Sequence, residues 1–199
     1  MSTYYTIKSQ AEGLYKEKGS KFLAFAFPVS SEDQIKQIQD DLRKRYYDAR
    51  HHCFAWMLGM DEKRWRANDD GEPAHSAGDP ILGQIKSSEL TNVLVVVIRY
   101  FGGIKLGVGG LINAYKIATE AALSKAERQA IYETKQVIMK FAYEAMSLVE
   151  RLITDFEIDV VKRDFQLSCE IQGDIKKDLI KTFEEKTIDL YTIEFIIEE

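Results

Sequence analysis

Two stretches of this sequence carry residue types that could do chemistry: Asp69-Asp70-Gly71-Glu72, and the run from Arg99 to Gly110. Three carboxylates in four residues, Asp69, Asp70 and Glu72, could bind Mg²⁺ or share general acid and base roles. They could equally form an Asp/Gly turn whose side chains bond the local backbone. In the second stretch, Gly102 to Gly110 holds five of the chain's twelve glycines in nine residues, a density that asks for left-handed dihedrals or a close backbone approach. A glycine loop feeding a helix N-terminus offers unpaired N–H groups and the positive end of a dipole, a ready anion site. Arg99 and Lys105 would contact phosphate there, and Gly103, Gly107, Gly109 and Gly110 would shape the loop and present its N–H groups. The loop matches neither G-x-x-x-x-G-K-[ST] nor G-x-G-x-x-G, so a tight strand-to-helix turn with solvated cations fits it equally well.

The elements around these stretches must position them. Val93 to Ile98 is an unbroken, mostly β-branched run, the pattern of a central strand covered on both faces; Arg99 and Tyr100 at its end point to opposite faces. Leu111, Ala114, Ala118 and Ala121 keep a helical spacing with small side chains, predicting a helix from Leu111. Tyr4 to Lys8 reads as a strand, and Leu14 to Pro28 as two more joined around Lys18-Gly19-Ser20-Lys21. Ser30-Ser31-Glu32-Asp33 opens a helix carrying Ile35, Ile38 and Leu42. That helix ends near Arg43-Lys44-Arg45, where cations suit the negative helix end better than they suit an RNA contact. A strand follows over Phe54 to Leu58, and Asp79-Pro80 reads as a helix start with Asp79 as cap acceptor. Adjacent histidines on a strand face opposite ways, so His51 and His52 do not share a metal; no metal and no cofactor are expected. Cys53 and Cys169 sit in apolar runs and read as buried thiols.

A second domain is expected from residue 130, dividing the chain into 1–129 and 130–199. Val137 to Tyr143 alternates as a strand, Met146, Val149 and Ile153 mark a helix, and Phe156, Ile158 and Val160 form a strand. A turn is expected at Lys162-Arg163-Asp164, then a strand through Phe165, Leu167, Cys169 and Ile171. Gly173-Asp174 reads as the cap of a helix with Ile175, Leu179 and Phe183, and Tyr191 to Ile197 as a last strand. The order βαββαβ is that of a ferredoxin-like split unit.

The net charge of −5 divides unevenly, +2 over Met1 to Arg128 and −7 over Gln129 to Glu199. An acidic ligand would therefore meet the first part, although +2 is far from the balance of a dedicated nucleic-acid binder. The opening MSTYYTIKSQAEG lacks the pattern of a secretory signal, and no run is long enough to span a bilayer, which predicts a soluble cytoplasmic protein with no membrane partner.

Asp69-Asp70-Gly71-Glu72-Pro73, with Ala77-Gly78 and Pro80-Ile81-Leu82 after it, is similar to the DDGEP…AG-x-P-hydrophobic signature of the YigZ/IMPACT family. Arg99-Tyr100-Phe101-Gly102-Gly103, Lys105-Leu106-Gly107 and Gly109-Gly110-Leu111 resemble its RYFGG-x-KLG-x-GGL signature, and Ala49-Arg50-His51 resembles a third block. The chain departs from the pattern at Ala74-His75-Ser76, where Ser-Gly-Thr is usual, and at Asn113, where an Arg is common. The resemblance implies an α+β protein whose N-terminal domain is like the second domain of a small-subunit ribosomal protein (S5 domain 2-like). It implies a ferredoxin-like C-terminal domain as in elongation factor G. It also implies a regulatory link to translation. Two functions stay open. One is a non-enzymatic protein binding RNA, the ribosome or a translation factor through the N-terminal domain, with the acids structural and anchoring Arg99 or Lys105. The other is a small hydrolase or phosphate-ligand enzyme in which Asp69, Asp70 and Glu72 share a cleft with Arg99 and Lys105.

Overall fold

The computed structural model describes residues 4–61, 63–165 and 169–198. The chain separates into two compact units, divided between Ile131 and Tyr132, and the two together make a mixed α and β protein.

The first unit runs β1 (Tyr4–Ile7), β2 (Ala11–Glu17), β3 (Ser20–Pro28), α1 (Glu32–Arg45), β4 (His51–Leu58), β5 (Arg64–Asn68), α2 (Gly78–Ser87), β6 (Val93–Tyr100), α3 (Gly107–Leu123) and β7 (Arg128–Ile131). Five strands form one sheet in the order β2-β3-β6-β4-β5, with every pair antiparallel. The apolar run of β6 lies at its centre. Val93, Val95 and Val97 pack with Ile81 and Ile85 of α2 and Ala114 and Ala118 of α3. Leu94, Val96 and Ile98 pack on the other face with Ile35 and Leu42 of α1. The run is continuous because helices cover both faces, a pattern usually met in parallel sheets. The small residues of α3 let it lie directly on β2, where a Cβ at Gly13 would fall 2.4 Å from the backbone nitrogen of Ala122. β1 and β7 form a separate two-stranded sheet, Tyr4 opposite Ile131.

The second unit runs β8 (Thr134–Phe141), a 3-10 turn, α4 (Met146–Asp155), β9 (Asp159–Phe165), β10 (Cys169–Lys176), a second 3-10 turn, α5 (Ile180–Thr187) and β11 (Ile193–Ile197). Its sheet has the order β11-β8-β10-β9. Val137, Met139 and Ile171 meet Val149, Leu152 and Phe183 in its core, and Phe183 makes edge contacts with Phe156 and Phe195 at centroid distances of 5.0 and 5.3 Å.

Several local expectations need correction. The helix expected from Leu111 begins at Gly107, so Gly109 and Gly110 belong to its first turn. Arg64 to Asn68 forms β5, where no strand was expected. Lys162-Arg163-Asp164 is not a turn but the middle of β9. Gly173, Asp174 and Ile175 continue β10 instead of opening a helix, and α5 starts at Ile180. Tyr143 lies in a 3-10 turn after β8. Phe156 and Ile158 lie before the start of β9, and Tyr191 before that of β11. Leu167 lies outside the described residues.

Candidate functional site

The acidic stretch folds as a turn, and each acid has a different occupation. Asp69 Oδ1 accepts from the backbone N–H of Ala77 and of Gly78, both at 2.9 Å, and Oδ2 accepts from His75 N–H at 2.9 Å. It thereby caps α2 from outside the helix, since the N-cap residue Ala77 has no capping side chain. Asp79 is not the cap acceptor; its carboxylate bonds His75 Nδ1 at 2.6 Å. Asp70 accepts from Arg43 Nη2 at 3.0 Å and from the backbone N–H of His52 at 2.7 Å, fixing the start of β4. Partial burial works against the charged form of both acids. The N–H donors on Asp69, and the His52 N–H and Arg43 on Asp70, outweigh it and hold both carboxyls below their ordinary value.

Glu72 alone of the three reaches Arg99. Arg99 Nη1 donates to Glu72 Oε1 at 2.6 Å, with side chains only 7% and 4% exposed. The same oxygen accepts from Tyr115 Oη at 2.8 Å. Cys53 Sγ lies 3.3 Å from Tyr115 Oη and 3.0 Å from the carbonyl oxygen of Asp69. Burial pushes both the Tyr115 phenol and the Cys53 thiol well up, so both stay protonated as donors. The rings of Phe22 and Phe101 lie 5.5 and 5.6 Å from the Arg99 guanidinium carbon. Among the described residues Arg99 Nε, itself buried, has no hydrogen-bond partner. This network ties β6, the acidic turn, α3 and β4 together at one end of the sheet.

Beside it opens a cleft of about 380 Å³ lined by Glu72, Pro73, Arg99, Phe101, Lys105, Leu106, Gly107, Val108 and Leu111. Gly103 and Gly107 have φ of +88° and +73°, the left-handed conformations the glycine density called for. Gly102 serves a close approach instead, for a Cβ there would meet the backbone carbon of Gly19 at 1.9 Å. α3 starts with no side-chain cap and no acid in its first turn, so the N–H groups of its first turn lack a side-chain partner. Lys105 is exposed, and among the described residues it has no carboxylate within ion-pair distance. The structure thus gathers Glu72, Arg99, Lys105 and Gly107 at one cleft, with Gly109 and Gly110 in the helix turn beside it. Asp69 and Asp70 are directed elsewhere. Among the described residues no group of three His, Cys, Asp or Glu is placed to hold a metal ion.

Tyr115, Cys53 and Phe101 belong to this site although their chemistry was not anticipated. Tyr115 had a signal: it is the one aromatic residue on a buried face otherwise made by Leu111, Ala114, Ala118, Thr119, Ala122 and Leu123, and a buried phenol usually finds a partner.

The model of the Impact N-terminal domain family matches residues 18–123. An IMPACT family member of Haemophilus influenzae is 30% identical over 196 residues, covering 98% of this chain and 91% of that protein. IMPACT family member YigZ of Escherichia coli is 32% identical over 151 residues, covering 75% and 74%. YvyE of Bacillus subtilis, also named an IMPACT family member, is 39% identical over 115 residues, covering 58% of this chain and 53% of that protein. A crystal structure of a hypothetical protein aligns with a TM-score of 0.73 at 27% identity, over 100% of this chain and 98% of that one.

Proposed function

Since the chain belongs to the IMPACT family, we propose that it is a non-enzymatic, translation-linked regulatory protein. It would act in the cytoplasm by binding the ribosome, its RNA or a translation factor through the first unit. The observation that carries this reading is Lys105, without an ion-pair partner among the described residues, beside the uncapped start of α3 in a formed cleft, an arrangement that attracts an anionic group. A hydrolase built on the three acids has less support, because Asp69 and Asp70 spend their oxygens on backbone N–H groups and Arg43. A finer reading of the fold follows: S5 domain 2-like for the first unit and ferredoxin-like for the second. The sheet order β11-β8-β10-β9 and the βαββαβ element order support the latter.

The test is co-sedimentation of the full chain with ribosomes and with structured RNA, at low and near-physiological salt, beside Lys105→Ala. Binding that survives the higher salt and is lost in the folded variant is expected. Absence of binding at both salts would sink the reading. Arg99→Ala is a poor probe, because it strands the buried carboxylate of Glu72.

A further inference from the structure

We propose that the cleft between the acidic turn and the start of α3 binds a peptide, taking a single carboxylate joined to a bulky apolar side chain. This rests on the reading above and names the partner chemistry at the same site: a protein segment instead of a nucleic-acid backbone.

Three observations converge. The charge available is small. Arg99 is offset by Glu72 at 2.6 Å, which leaves Lys105 and the partial positive charge of a 17-residue helix with no side-chain cap. That matches one anionic group. A nucleic-acid strand needs several cations along its track to gain affinity from counterion release. Second, the walls are mostly apolar: Pro73, Phe101, Leu106, Val108 and Leu111. Phe101 and Val108 are 55% and 51% exposed, apolar surface that an apolar side chain would cover. Third, Arg99, held by Glu72, and the Phe101 ring beside it form one wall of the cleft, so the apolar seat is fixed before a ligand arrives. A carboxylate at the mouth would accept from Lys105 and from first-turn N–H groups, and its apolar neighbour would seat against Phe101 and Val108.

Such a carboxylate belongs either to a chain's C-terminus, captured by backbone N–H groups, or to an Asp or Glu side chain beside a Leu or Phe. The experiment measures fluorescence anisotropy of labelled probes on the full chain. The probes are hexapeptides randomised except for a C-terminal Leu or Phe, as free acids and as amides; doubly capped hexapeptides with an internal Glu-Leu pair; and a ten-nucleotide oligouridylate. One of the two carboxylate-bearing pools is expected to bind at least tenfold tighter than the amides, and which one does identifies the source. Its affinity should fall about tenfold or more in Lys105→Ala, through loss of a charged hydrogen bond, and also in Phe101→Ala. Both side chains are exposed, so both variants should keep the parent melting temperature. The logarithm of affinity should fall with that of salt by a slope of about one or less.

The inference is overturned if neither carboxylate pool binds. It is also overturned if the oligouridylate binds with a slope of several units that Lys105→Ala reduces; nucleic acid would then be the ligand, and the translation-linked reading would survive. Ribosome co-sedimentation lost in Lys105→Ala without peptide binding has the same meaning. Co-sedimentation that persists in both variants removes the cleft from both proposals.

Discussion

Glu72 Oε1 takes a guanidinium donor and a phenol donor at once, at 2.6 and 2.8 Å and almost out of water. A buried pair of this kind is costly to half-remove, because the remaining charge stays desolvated. Glu72→Gln, which leaves Arg99 charged and uncompensated, should lower unfolding free energy by about 3 kcal/mol in urea titrations. Lys105→Ala should change it by no more than about 0.5 kcal/mol. Asp69 and Asp70 supply a pH dependence whose sign is fixed by their depressed folded-state values. Their contribution is complete above the unfolded carboxylate range, at about pH 5 and higher, and is lost as pH falls below about 4. The Asp69→Asn/Asp70→Asn double variant should be less stable at neutral pH and show a flatter acid limb, read from urea midpoints at a series of pH values. At this scale the sequence was legible in part. The acids could be seen to suit a turn. Anchoring of Arg99 or Lys105 by one of them was also an expectation, but that Glu72 and Arg99 are the pair depends on a contact between residues 27 apart, which no local pattern encodes. His75 has φ of +63°, a left-handed conformation, at the middle of the interval where the family usually carries Ser-Gly-Thr. The departure from the family motif thus falls on the position where glycine costs least.

Among the elements, α3 is the one on which site and fold depend together. It begins four residues before the sequence suggested, since Gly107, Gly109 and Gly110 weaken the helical signal that starts clearly at Leu111. A Cβ on Gly109 would meet nothing within 4 Å. Gly109→Ala should therefore raise stability by about 0.5–1 kcal/mol by thermal or urea unfolding. If bare backbone at the helix start is what a ligand touches, the same variant will bind less well, separating stability from function in one substitution. Gly102→Ala is the opposite case, for its Cβ would overlap the backbone of Gly19 and Ser20; a loss of roughly 2–3 kcal/mol is expected. The misread strands share a physical cause. β5 and β9 are edge strands, and edges carry charged side chains that discourage further pairing, so Arg64 to Arg66 and Lys162 to Asp164 resemble loop in composition. Gly173 looks like a helix cap, yet it lies in β10 opposite a bulge in β9, where Val161 is the extra residue, and a Cβ on it would approach Ile158 Cγ2 to 2.6 Å.

Each unit has a core of its own, and none of the described helices is long and apolar enough to cross a membrane. A chain ending at Ile131 should fold and retain any Lys105-dependent binding. One ending at Glu127 should melt at a lower temperature, because it lacks all of β7 and leaves β1 without its partner. Circular dichroism melts of the two would show the difference. The charge division visible in the sequence leaves the first part at +2 and gives the second unit the net negative charge, and that unit carries no residue of the cleft. Which strand would pair with β1 was not legible, because its partner lies at the far end of the unit and four-residue strands carry little periodicity of their own. That pairing bears on how the protein comes into being. During synthesis the first strand leaves the ribosome long before Arg128 to Ile131 exist to receive it, so its bonds to β7 can form only after all five strands of the larger sheet have been made. The small sheet cannot close before the first unit is complete, and in that sense it is a latch on its completion.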